Sequence, residues 1–92
     1  MSTRLEVTLP PVSFRVDDAR AEILEVLKFT FPDGKVRYHV VCRLIWRGIK
    51  TRKFFLDVRS MDDLRKKLEI ELSKIKLLYI LKGEKYVREV VT

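Results

Sequence analysis

The sequence predicts an α+β domain: an antiparallel sheet of about four strands packed on one main C-terminal helix, with an extra helix or strand at the end. Three observations carry this. Long apolar stretches rich in β-branched residues alternate with charged ones in the first two thirds of the chain. Turn-forming Pro and Gly punctuate them, and a helical stripe of leucines follows after Ser60.

Taken in order, Leu5 to Leu9 and Val12 to Val16 are short alternating segments separated by Pro10-Pro11, as brief edge strands would be. Ala21 to Phe31 holds Ile23, Leu24, Val26, Leu27, Phe29 and Phe31, too β-branched and apolar for a surface helix and long enough for a strand. Pro32-Asp33-Gly34 supplies a turn, because Pro fixes one φ and Gly accepts a positive one. Val36 to Arg47 alternates cleanly. Val36, Tyr38, Val40, Cys42, Leu44 and Trp46 share one face, and Arg37, His39, Val41, Arg43, Ile45 and Arg47 the other. A Gly48-Ile49-Lys50 loop then sets Phe54, Leu56 and Val58 opposite Leu44, Cys42 and Val40, leaving Phe55 beside Arg43.

The first hairpin has two registers. A two-residue Asp33-Gly34 loop places Phe29 opposite Tyr38 and Leu27 opposite Val40, which completes an apolar face; a type I turn with a Gly34 bulge places Phe29 beside Arg37 and Phe31 beside Lys35. Core formation favours the first. Ser60-Met61-Asp62-Asp63 reads as a shortened capping box opening a helix, with Leu64, Leu68, Leu72, Ile75 and Tyr79 on one stripe. Beyond Lys74, Leu77 to Leu81 is apolar all round and is covered either by the core or by a partner subunit. Glu84 to Val91 is a short helix or a last strand.

Ninety-two residues make a single domain (1–92), too small for a deep two-domain cleft, since a chain this short hides only about 60–65% of its unfolded surface. No apolar run approaches the roughly 18 residues a membrane helix needs. The first residues lack the pattern of a secretory signal, so a cytoplasmic location is expected, and a single cysteine, Cys42, suits a reducing compartment. Asn and Gln are absent while Lys, Arg and Glu abound, the composition of a thermophile and, by expectation, an archaeon.

The net charge of +7 is local. Between Asp33 and Asp57 there are seven bases and no acid, whereas the rest of the chain carries thirteen of each sign. A positive block of this kind is the footprint of a polyanion binder, against the plainer reading of a solvated surface. Chemistry is harder to find. His39 is the only histidine, on a face where no acid is expected beside it, and Cys42 falls on the apolar face as a core thiol. One Cys and one His cannot build a zinc site, and the three glycines are isolated. Pro32-Asp33 opens like a nuclease motif but no acid-x-Lys follows. No catalytic residue, metal or cofactor is expected, and the protein reads as a non-enzyme.

The remaining candidate is the basic sheet face. Arg37, Arg43, Arg47, Arg52 and Lys53 would meet phosphates, and Phe55 would stack on bases, as would Trp46 if it is half-exposed at the strand end rather than the last core residue of its stripe, a combination suited to single strands. The segment Arg43-Leu44-Ile45-Trp46-Arg47, with Lys53-Phe54-Phe55, in this setting of strands and helix, resembles the ThermoDBP-type single-stranded DNA-binding proteins of thermophilic archaea. That resemblance spans Val12 to Val91. It implies sequence-tolerant binding of single-stranded DNA by a homo-oligomer. Here there is no long C-terminal heptad extension, so Leu77 to Leu81 becomes the candidate interface. RNA binding, association with a ribosome, or docking on an acidic protein are the alternatives.

Overall fold

The computed structural model describes the backbone of residues 4–7 and residues 12–92 in full. The expected Leu9 and Pro10-Pro11 boundary lies outside the described residues. Among the described residues six strands, β1 (Arg4–Val7), β2 (Val12–Val16), β3 (Ala19–Thr30), β4 (Val36–Trp46), β5 (Ile49–Lys50) and β6 (Phe54–Val58), precede two helices, α1 (Met61–Lys82) and α2 (Glu84–Val91). All pairings are antiparallel. Strands β1 and β2 share one edge of β3, β4 lies on its other side, and β5 and β6 share the far edge of β4. The six segments therefore fill the four sheet positions the alternation predicts, and the uncertain C-terminal segment is a helix.

The register of the first hairpin corrects the favoured expectation. Phe31 N–H donates to Lys35 O and Gly34 N–H to Phe31 O, both at 2.9 Å, around a three-residue Pro32-Asp33-Gly34 loop with Gly34 at φ +88°. Thr30 then faces Val36, Phe29 faces Arg37 and Leu27 faces His39. The turn chemistry prevails because a bulge at Leu24 shifts the phase back. Below it Ile23 meets Cys42 and Ala21 meets Leu44; above it Val26 meets Val40. Val26 and Ile23, three residues apart, are thus both buried.

The second hairpin is corrected as well. Its loop is Arg47-Gly48, both at positive φ (50° and 76°), the combination of a two-residue turn whose twist matches the strands. Ile49 then pairs with Trp46 and is buried. The strand breaks at 51–53, where Thr51 N–H donates to Leu44 O and Thr51 Oγ1 accepts from Leu44 N–H. When pairing resumes, Phe54 faces Cys42 and Val58 faces Tyr38, two residues along from the expected alignment but with the same faces inward.

Ser60 caps α1 by accepting from Asp63 N–H at 3.1 Å, while the Asp63 carboxylate accepts from Arg59 N–H at 3.0 Å. That backbone contact, helped by Lys67, holds the Asp63 carboxyl below its ordinary range. Leu64, Leu68, Leu72 and Ile75 are buried against Val40, Cys42, Leu44 and Val58 of the sheet, as their spacing predicts. Gly83, at φ +89°, ends α1 and lets α2 turn back so that Val87 enters the core. Among the described residues no helix is long and apolar enough to cross a membrane.

Candidate nucleic-acid interface

Among the described residues, helices cover one side of the sheet only. On the other side β4 presents Arg37, His39, Val41, Arg43 and Ile45, all half-buried, flanked by Leu27 and Phe29 of β3 and by Phe55 and Asp57 of β6. Three rings cross this surface on a diagonal. Phe55 stacks on His39 with centroids 4.6 Å apart and 29° between planes, and Phe29 meets the same imidazole edge-on at 6.5 Å. Phe55 is 63% exposed, so one full ring face is presented to solvent on a rigid strand.

Asp57 Oδ1 lies 2.9 Å from His39 Nδ1 and holds the imidazole in place. The sequence had suggested no acid beside His39. The reason is register: in the expected alignment Asp57 sits beside Val41, and the two-residue displacement brings it opposite His39. The same displacement moves Phe55 from Arg43 to Val41. Phe29 joins through the turn-determined register, so the signal for it was the Pro32-Asp33-Gly34 loop.

The expected site residues separate into two groups. Arg37 and Phe55 lie on this surface, Lys53 is exposed in the segment that leads into β6, and neither cation has a carboxylate partner among the described residues. Arg43 is on the face too, but its Nε donates to Glu22 Oε1 at 2.5 Å across the strands, and the guanidinium holds the Glu22 carboxyl below its usual range. Its charge is therefore largely neutralised locally.

Trp46, Arg47 and Arg52 sit elsewhere. Trp46 is 5% exposed, beneath α1 rather than half-exposed at the strand end, because the tight Arg47-Gly48 turn folds Ile49 back beside it. Its indole N–H donates to Asp18 at 3.0 Å and its ring meets Tyr79 edge-on at 5.1 Å. Arg47, exposed in the turn, lays its guanidinium over the Trp46 and Tyr79 rings at 5.1 and 5.6 Å, on the helix side. Arg52 donates from its guanidinium to Val90 O at 2.6 Å and from its backbone to Val91 O at 2.7 Å, so it caps the C-terminus of α2, where carbonyls lack partners.

Lys76 completes the Trp46 end of the sheet. Its ammonium lies 2.7 Å from Asp17 and 2.6 Å from Asp18, which ties the β2–β3 turn to α1. The Lys76 contact, followed by the indole N–H, holds the Asp18 carboxyl down to about 2. Cys42 is fully buried, and burial pushes its thiol up to about 12, so it stays a protonated core group on the side of β4 away from His39. No cluster of three or more His, Cys, Asp and Glu side chains suited to a metal exists among the described residues.

Of the segments that carry the family resemblance, Arg43 and Phe55 reach the uncovered face and Trp46 does not. Comparison with protein families, with curated proteins and with solved structures finds nothing that matches this chain.

Proposed function

We propose that the uncovered sheet face binds single-stranded nucleic acid, in the first place DNA, with little base preference and without catalysis. The observation that carries this reading is the exposed Phe55 ring, backed by His39 and Phe29 on a rigid three-strand platform. A base stacks on any aromatic face, so such a platform accepts every sequence, at roughly 1–3 kcal/mol per stacked base. Arg37 and Lys53, with Arg20 and Lys50 along the rim, place cations where a backbone would run. A flat sheet suits single strands better than a duplex, whose major groove admits a helix or a two-stranded ribbon. A second reading is a protein partner, favoured by half-buried Leu27, Val41 and Ile45 at the centre of the same face.

The test is anisotropy of labelled oligo-dT and of the matched RNA at several salt concentrations. Intrinsic fluorescence of Trp46 is unsuitable because that ring faces α1. Single-stranded DNA is expected to bind with a steep salt dependence and to beat heparin as a competitor per charge. The Phe29→Ala, His39→Ala, Phe55→Ala triple variant is expected to lose more than tenfold. A loss under threefold sinks the site. Tighter binding of RNA identifies 2′-hydroxyl recognition, and heparin equalling all nucleic acids points to the acidic-protein alternative.

A further inference from the structure

The side of α1 away from the sheet is unusual for a helix in a small domain. Ile70, Leu77, Ile80 and Leu81 are 54, 56, 78 and 67% exposed, on the face opposite Leu64, Leu68, Leu72 and Ile75. Positions 70 and 77 are seven apart, as are 73 and 80, the spacing of a helix that pairs with another helix. Ile70, Ser73, Lys74 and Leu77 stand at i, i+3, i+4 and i+7, and with Lys66 and Glu69 they line a surface depression. Four residues so spaced form the hole that receives one knob from a facing helix. Ser73, the smallest of them, makes this hole deep, while Leu77 and Ile80 are large knobs on the same stripe.

We infer that α1 pairs with α1 of a second copy, antiparallel, with Leu77 of each copy seated over Ser73 of the other. Hole and knob on one surface are what a two-fold contact requires, since the same patch must complement itself. Antiparallel alignment centred near Ile75 brings Leu77 against the Ser73 hole and Ile80 against Ile70. A parallel pair would oppose Ser73 to Ser73, leaving both holes empty, and Lys66 to Lys66. Four large aliphatic side chains from each copy, more than half exposed, bring on the order of 1,000 Å² of apolar surface from the two copies together, close to the roughly 1,200 Å² at which stable interfaces begin. The surface lies on the far side of α1 from the open sheet face. This inference therefore does not rest on the nucleic-acid reading.

Sedimentation equilibrium without nucleic acid tests it. The full chain is expected at twice its 11.0 kDa mass at micromolar concentration, and Leu77→Glu and Ile80→Glu are each expected to be monomers with an unchanged helical circular dichroism signal. Both positions are solvent-exposed in the single chain, so folding survives, and Ile70→Lys provides an independent third break. Orientation is read with Lys66→Cys, whose thiols are roughly 27 Å apart along the axis in the antiparallel pair at 1.5 Å per residue. Cys42 is buried and does not compete. A monomeric wild type, a dimer that survives all three substitutions, or ready disulfide formation by Lys66→Cys overturns the proposal.

Discussion

The two ends of β4 carry nearly the same chemistry and put it to opposite uses. At one end Trp46 donates to Asp18, meets Tyr79 edge-on and lies under the Arg47 guanidinium. Toward the other end His39 pairs with Asp57, stacks on Phe55 and meets Phe29 edge-on, with Arg37 two residues along the same face. Each is a ring held by a carboxylate and a second ring, with a cation close by. They differ in parity. Position 46 points under α1 and position 39 points away from it, so the first cluster is closed by packing and the second is left open. Rings and cations adjacent in sequence therefore identify a binding surface only once the face they occupy is known.

The largest effect that would break this comparison is expected at Trp46. Trp46→Ala should cost about 3–5 kcal/mol of stability in a denaturant titration, as loss of a buried aromatic does, while the molecules still folded keep their affinity for oligo-dT. A selective loss of binding would move Trp46 back into the site. Phe55→Ala is the converse: affinity should fall about five- to a hundredfold, for the roughly 1–3 kcal/mol of one stacked base, with stability changed by less than about 0.5 kcal/mol.

Smaller effects sharpen the same division. Arg52→Ala should cost about 0.5–1.5 kcal/mol through the lost contact with Val90 O, seen as faster amide exchange in α2, and leave the salt dependence of binding unchanged. Arg37→Ala, by contrast, should lower the salt slope by about one counterion. At the closed end, Asp18 is ionised in the folded protein down to about 2, because Lys76 and then the indole N–H favour its charged form. A carboxyl lowered on folding adds stability above its unfolded value of about 3.9, and that contribution is lost as the pH falls toward 2. Asp18→Asn should flatten the acid limb of the stability profile between those values.

Much of this was legible in the residues. Alternation in 36–46 assigned every side chain of β4 to its correct face, and Leu64, Leu68, Leu72 and Ile75 to the core side of α1. Ser60 and the acids after it marked the helix start. The site was read less completely. Pattern placed Arg37 and Phe55 on the open sheet face, where the structure has them, whereas Trp46, Arg47 and Arg52 were drawn in by their charge or ring alone and lie elsewhere. His39 was passed over because its carboxylate comes from a strand whose alignment no local signal specifies.

The sequence by itself determined periodicity, and with it the faces of β4 and α1, since side-chain direction follows from backbone geometry a few residues long. The tertiary structure decided register. Pairing joins residues far apart in the chain, and each turn or bulge changes its offset by a residue or two, so the three-residue Pro32-Asp33-Gly34 loop, the bulge at Leu24 and the break at 51–53 had to be resolved together with the packing of α1 and α2. That collective choice set Asp57 opposite His39 and Phe29 opposite Arg37, and so built the face on which the proposed function stands.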